Sequence, residues 1–187
     1  MQLLTEADSV LRDIEELSGR NYLPIIGQAK GNRLATTVKD YGVRNVLEVG
    51  TLVGYSAILI AENLESEGKV FTIEINPKMA RAARENIHKA GFASLVHVLT
   101  GDAIAVIPTV DEELDMVFLD AAKEEYLLYL KLAEEKLRPG GVVFADNVKL
   151  SSYAMRDYLD YVQNSGRYSS VNIDTGFDGI ERSIKLF

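Results

Sequence analysis

Apolar residues recur at helical spacing along the start of the chain: Leu3, Leu4, Ala7, Val10, Leu11, Ile14 and Leu17, with Ser18-Gly19 ending the run. The pattern predicts an amphipathic helix packed on the domain or on a partner subunit. Pro24, Gly27 and Gly31 mark Asn21–Gly31 as a loop, and a helix is expected over Asn32–Tyr41. From Val46 onward, short apolar runs alternate with amphipathic stretches. Strands are expected at Val46–Val49, Val70–Ile75, Leu95–Leu99, Leu114–Asp120 and Val142–Ala145. The intervening helices are Tyr55–Glu65, Asn76–Ala90, a short one from Asp102 to Pro108, Glu124–Leu137 and Tyr153–Gln163. Asn76 caps the second of these, with Pro77 at its first position. Ser66–Lys69 and Arg138–Gly141 read as turns. Only Gly176–Gly179 separates the last two runs, Ser170–Thr175 and Ile180–Leu186, so they should pair as an antiparallel hairpin. The expected class is therefore α/β: a mainly parallel sheet with a terminal hairpin, in one domain spanning 1–187.

Composition narrows the function. At 187 residues, 47% hydrophobic and 26% charged, the chain suits one globular core. A net charge of −8 argues against non-specific binding to nucleic acid or anionic membrane. With no cysteine, disulfides, thiolate metal sites and cysteine nucleophiles are excluded. No apolar run approaches the roughly 20 residues that span a bilayer. Met1–Glu6 lacks a basic segment followed by an apolar one, so no signal peptide is expected and a cytoplasmic protein is the default.

The chemistry gathers where strands end. Val46-Leu-Glu-Val-Gly-Thr-Leu-Val-Gly-Tyr-Ser56 reads as a buried strand, a glycine turn and a helix start. Ligands of open α/β sheets bind at such turns, where glycine permits close backbone approach and the helix offers free N–H groups. The E-x-G-x-x-x-G spacing is not the G-x-G-x-x-G of a pyrophosphate site, and Glu48 suits a cationic ligand. A plain strand-turn-helix connection in another α/β protein stays open. Glu74, 24 residues beyond Gly50 at the end of the next strand, stands where an acid accepts hydrogen bonds from a ribose; it could also be a helix-capping acid. Asp102 and Ala103 follow the third strand, where an adenine edge could lie.

Asp120, Asp146 and Asn147 end two adjacent strands. Oxygen donors without His or Cys suit a hard cation such as Mg²⁺, although both aspartates could instead cap helices. Lys123 sits three residues beyond Asp120, at a helix start that prefers acids. A cation beside it would favour a neutral, proton-accepting amine; the alternative is an exposed lysine paired with Glu124 or another acid.

From Tyr22 to Lys185 these features resemble the class I SAM-dependent, metal-dependent O-methyltransferases, of the catechol O-methyltransferase type. The matching stretches are Gly27-Gln-Ala-Lys-Gly31, Leu47-Glu-Val-Gly-Thr51, Gly54-Tyr-Ser-Ala57, Met116-Val-Phe-Leu-Asp120 with Lys123, Ala145-Asp-Asn-Val148 and Asp178-Gly-Ile-Glu181. The resemblance implies a Rossmann-like, seven-stranded, mostly parallel sheet with helices on both faces and the last strand inserted antiparallel. It implies a cofactor and substrate lid in 1–44 and a catalytic core in 45–187. S-adenosylmethionine (SAM) would be held by Ile26, Glu48, Gly50, Thr51 and Ser56 at its methionine end, Glu74 at the ribose and Ala103 near the adenine, with Asp120 close by. Asp120, Asp146 and Asn147 would hold Mg²⁺, Mn²⁺ or another divalent cation, and Lys123 would take the hydroxyl proton. The implied acceptor is a small hydroxylated aromatic with vicinal hydroxyls, and a homodimer is possible within the family. A hydroxylated RNA base, or a SAM-binding module without catalysis, is the alternative.

Departures from the animal catechol enzyme concern the acceptor. Ala121-Ala122 replace a His-Trp pair, Tyr22 stands at a gatekeeper tryptophan, and Asp174 lies near the expected place of an acid that meets the second catechol oxygen. The chain also starts later than the N-terminal extension of bacterial and plant relatives.

Overall fold

The computed structural model describes residues 5–65 and 67–187, so Leu3, Leu4 and Ser66 of the expected first helix and turn lie outside the described residues. Strands β1 (Asn45–Val49), β2 (Lys69–Glu74), β3 (Val96–Thr100), β4 (Leu114–Leu119), β5 (Leu137–Asp146), β6 (Tyr168–Asp174) and β7 (Gly179–Lys185) form one sheet in the order β3-β2-β1-β4-β5-β7-β6. The first five are parallel neighbours. β7 runs antiparallel between β5 and β6, as the resemblance implied.

Strand alternation sorts the core into two layers. On one face Val46, Val70, Met116, Phe118, Val142 and Phe144 meet helices α1 (Glu6–Asn21), α2 (Gly27–Asp40), α3 (Tyr55–Asn63) and α4 (Pro77–Lys89). On the other, Leu47, Val49, Val117, Leu119, Val143 and Ala145 meet α5 (Ala103–Val106), α6 (Tyr126–Ala133) and α7 (Arg156–Asn164). Helix α1 is fastened at its start by a reciprocal cap: Asp8 N–H donates to Thr5 Oγ1 at 3.0 Å and Thr5 N–H to Asp8 Oδ2 at 2.9 Å. Its buried stripe is Ala7, Val10, Leu11 and Ile14.

Four expected boundaries move. Helix α2 begins at Gly27, not Asn32, so the last five residues of the expected loop are helical. Gly31 marks close packing there: a Cβ on it would sit 2.8 Å from Leu59 Cδ1 on α3. Helix α6 stops at Ala133, and Leu137 already pairs with Leu114. Arg138–Gly141 is a bulge in β5, since register resumes at Met116 with Val142; Arg138 Nε fastens it to Asp115 Oδ1 at 2.5 Å. Helix α7 begins at Arg156, after turns over 148–155.

The parallel strands bring the carboxyl ends of β1, β2, β4 and β5 to one edge. Because β7 is antiparallel, its beginning lies there too, with Ile180 opposite Asp146.

Candidate active site

A cavity of about 500 Å³ opens at that edge. The turn after β1 supplies Gly50, Thr51 and Leu52, β2 ends in Glu74, and residues 101–103 follow β3. Asp120, Ala121 and Ala122 come from the end of β4, and Pro24, Ile25 and Ile26 from the approach to α2.

Glu48 lies beneath the β1 turn with no exposed surface, although it shares the apolar face of Val46. Thr72 Oγ1 donates to Glu48 Oε2 at 2.5 Å, while Oε1 has no hydrogen-bond partner among the described residues. Burial pushes the carboxyl up to about 7, against the neighbouring Ser56 and Thr72 hydroxyls, and the Asp120 and Glu74 charges add to the rise. Glu74 is better satisfied. Its Oε2 accepts from Leu52 N–H at 2.8 Å and its Oε1 from Asn76 N–H at 2.8 Å. Leu52 has φ +50, an unusual backbone state for a branched residue, and the Glu74 bond fixes it. Asp102 caps α5 through Ile104 N–H at 2.9 Å.

The second cluster adjoins the cavity at Asp120. Lys123 lies in a 3₁₀ turn leading into α6, and its Nζ donates to Asp120 Oδ1 at 2.8 Å and to Tyr126 Oη at 2.8 Å. The Tyr126 hydroxyl in turn donates to the Leu119 carbonyl at 2.9 Å. Asp146 is buried; burial and then the nearby Asp120 charge raise its carboxyl above the ordinary range. Asn147 follows with φ +61, and its Nδ2 donates to Asp178 Oδ2 at 2.7 Å. Lys30 of α2 donates to Asp146 Oδ1 at 2.5 Å and Asp178 Oδ2 at 2.6 Å.

An O-methyltransferase family model matches residues 2–166. The chain belongs to the O-methyltransferase family.

Its relatives include catechol O-methyltransferases. The mouse enzyme is 32% identical over 193 residues, covering 96% of this chain and 72% of its own length. That of Niastella koreensis is 44% identical over 109 residues, covering 56% of this chain and 49% of its own, so the match spans about half of that relative. Among solved structures, the O-methyltransferase from Bacillus cereus in complex with SAH superimposes with a TM-score of 0.87 at 30% identity, covering 95% of this chain and 91% of that one. TomG from Streptomyces achromogenes, in complex with SAM, gives 0.86 at 29%, covering 99% and 93%. These likenesses establish the Rossmann-like methyltransferase fold and a family that binds SAM.

The expected site residues fall in two places. Ile26, Gly50, Thr51, Ser56, Glu74, Ala103 and Asp120 line the cavity, with Glu48 under its floor. The cavity fits a SAM-sized ligand, and the orphaned Glu48 Oε1 fits its cationic amine. The glycines also have a packing task within the protein. A Cβ on Gly50 would lie 2.3 Å from the Asp120 carbonyl, and one on Gly54 would meet Ala83 of α4 at 3.4 Å. Both leave room for neighbouring protein atoms, and Gly50 also lines the cavity.

Asp120, Asp146 and Asn147 gather at the other end. No group of three or more His, Cys, Asp or Glu poised for a metal occurs among the described residues, and this set has only two carboxylates with one amide. It still fits a hard cation. The Asp120 charge adds to the rise of the buried Asp146 carboxyl, and the Asn147 amide gives its NH₂ to Asp178, which leaves its oxygen for another partner. Lys123 pairs with Asp120, not with Glu124. Asp174 is exposed and lies 3.5 Å from Lys149 Nζ, Tyr22 is exposed, and Ala121 and Ala122 line the cavity. Spacing gave no sign of Lys30 or Asp178 as members of the site, although both lie inside stretches that matched the family.

No helix among the described residues is long and apolar enough to cross a membrane.

Proposed function

We propose that the protein transfers the methyl group of SAM to a hydroxyl of a small aromatic acceptor with vicinal hydroxyls, with help from a divalent cation. One observation carries this reading: Asp120 lines the cofactor cavity and is also hydrogen-bonded to the Lys123 amine, so a methyl donor and a proton acceptor share one wall. Catechol O-methyltransferase relatives support the acceptor class.

Glu48 would receive the amine of the donor on Oε1, and Glu74 its ribose. Tyr126 and Asp120 hold the Lys123 amine at the edge of the cavity. In its neutral form that amine takes the acceptor's hydroxyl proton. The oxygen then forms a bond to the methyl carbon as the sulfur–carbon bond breaks, and its electron pair stays on sulfur as a neutral thioether. Apolar walls at Ile25, Ile26 and Ile73 exclude water from the donor. A divalent cation at Asp120, Asp146 and Asn147 would orient the vicinal oxygens and make the hydroxyl more acidic. No specific feature favours an RNA acceptor or a non-catalytic module.

The test is a methyl-transfer screen of catechols, flavonoids and RNA with and without metal. Catechols should be methylated, chelator should abolish turnover, and Mg²⁺ or Mn²⁺ should restore it. Full activity in excess EDTA would refute the metal-assisted mechanism, and transfer to RNA alone would refute the acceptor class.

A further inference from the structure

Lys30 is a largely covered cation that neither the donor pocket nor the proton transfer uses. It projects from the first turns of α2 between two carboxylates, with its side chain 13% exposed and those of Asp146 and Asp178 3% and 5%. Burying a lysine costs several kcal/mol unless its charge is met, and here both aspartates meet it. Burial alone would lower the Lys30 amine, but its bonds to Asp146 and Asp178 outweigh that and raise it. Burial would likewise raise Asp178, yet Lys30, the Leu150 amide and Asn147 hold it well below the usual carboxylate range.

The bonds decide how the neighbouring side chains face. Asp178 Oδ1 accepts from the amides of Leu150 at 3.0 Å and Lys149 at 3.3 Å, so the carboxylate is anchored to the loop after β5. An ionised carboxylate only accepts, hence the Asn147 NH₂ turns toward Asp178 and its carbonyl oxygen turns away. Asn147 is held in a left-handed backbone state, which persists only where its surroundings over-determine it. Lys30 and the Asn147 N–H both engage Asp146 Oδ1, at 2.5 Å and 2.7 Å, and so fix the rotamer of that carboxylate.

We propose that Lys30 and Asp178 are positioning residues that preset the oxygens of Asp146 and Asn147 for a divalent cation. The proposal rests on the reading of Asp120, Asp146 and Asn147 as the metal donors. Partners that orient metal ligands commonly govern affinity nearly as strongly as the ligands do. The placement also links the two halves of the site, because α2 follows directly on Ile26, which lines the cofactor cavity.

Charge and positioning predict opposite signs for one substitution, which makes the test sharp. Removing a cation 2.5 Å from Asp146 should, by charge alone, tighten binding of a divalent ion. If Lys30 positions Asp146, its removal should loosen binding instead. Mn²⁺ titrations followed by electron paramagnetic resonance, without donor or acceptor, would compare wild type, Lys30→Met and Asp178→Asn. Calorimetry with SAH would check the cavity, and thermal melting the fold. Lys30→Met should weaken Mn²⁺ binding by about 10–100-fold with SAH affinity within about twofold of wild type. Asp178→Asn should weaken it too, though there charge and positioning act in the same direction. Should Lys30→Met fail to fold, Lys30→Leu likewise removes both the charge and the donor, and the same sign applies. Unchanged or tighter Mn²⁺ binding in a folded Lys30 variant overturns the positioning role and leaves the donor set standing. Absence of Mn²⁺ binding by wild type, or wild-type binding by Asp146→Ala, overturns the donor set and this proposal with it.

Discussion

The Thr72 hydroxyl donates to one oxygen of Glu48 at 2.5 Å, and the other oxygen is buried with no partner among the described residues. The Glu48 carboxyl is raised to about 7 from 4.5, so the folded protein without ligand prefers it protonated only below about pH 7. For a group raised on folding, the stability contribution is fully present below the unfolded value and is lost as pH rises through the folded one. Glu48→Gln, neutral throughout, should therefore melt higher than wild type at pH 8, and the gap should shrink toward pH 5. The same variant should bind SAH more weakly. Calorimetry at pH 6 in buffers of different ionisation enthalpy should show proton release on SAH binding to wild type and none in Glu48→Gln. Equal melting temperatures at pH 8 would show that the carboxylate is already compensated.

Glu74 has a structural task besides its proposed contact with ribose, because it holds the amides of Leu52 and Asn76. Glu74→Ala should weaken SAH binding by about 1.5–3 kcal/mol, the worth of hydrogen bonds to a charged group. It should also lower the melting temperature, since Leu52 loses the partner that fixes its positive φ. Unchanged SAH affinity in the folded variant would remove Glu74 from the donor site.

Lys123→Met should reduce kcat by about 10²–10⁴-fold, the range for a general base, with SAH and Mn²⁺ affinities little changed. Lys123→Arg should not rescue, because guanidinium stays protonated. Tyr126→Phe should give a smaller loss, since Asp120 still holds the amine. An acceptor with a less acidic hydroxyl should suffer more from Lys123→Met than a catechol. Wild-type kcat in the Met variant across pH, on both acceptors, would leave Lys123 a structural residue.

Gly50→Ala tests the turn itself. At φ +105 a side chain is strained, and the new methyl would fall 2.3 Å from the Asp120 carbonyl. Backbone must move at the strand end that carries both Asp120 and the cavity wall. A loss of about 3 kcal/mol in denaturant unfolding is expected, with activity falling further than stability alone explains. A variant as stable as wild type would mean that β1 and β4 can separate there.

Much of this architecture is visible as local pattern. The strand at Val46–Val49 and its acid, glycine turn and helix are contiguous, so spacing points to Glu48 and Gly50, and the separation from Gly50 points to Glu74, while Ser56 enters through the family resemblance. The packing task of Gly50 is not legible locally, because the Asp120 carbonyl that crowds it is seventy residues away along the chain. Lys30 escaped for the same reason. Its two partners lie 116 and 148 residues further on, and nothing nearby distinguishes it from a solvated helix lysine. Gly27 and Gly31 suggested a loop because glycine disfavours helices; packing of α2 on Leu59 overrides that preference. The Arg138–Gly141 turn was locally correct, but the pairing of Leu137 with Leu114 that turns it into a bulge is a long-range event.

The position of β7 has a consequence for how the molecule comes together in time. It follows every other strand in the chain yet sits inside the sheet, and β6, which precedes it, reaches the sheet only through it. Until β7 docks, β5 presents the open edge Val142–Ala145, an invitation to pair with another chain. The cavity wall is drawn from residues 24–129 and can assemble while the hairpin is still free. Asp178 reaches Lys30 and Asn147 only when the hairpin inserts. Refolding should thus pass through a species whose cavity has formed before Asp178 meets Lys30 and Asn147, and that interval is when the protein is most exposed to aggregation.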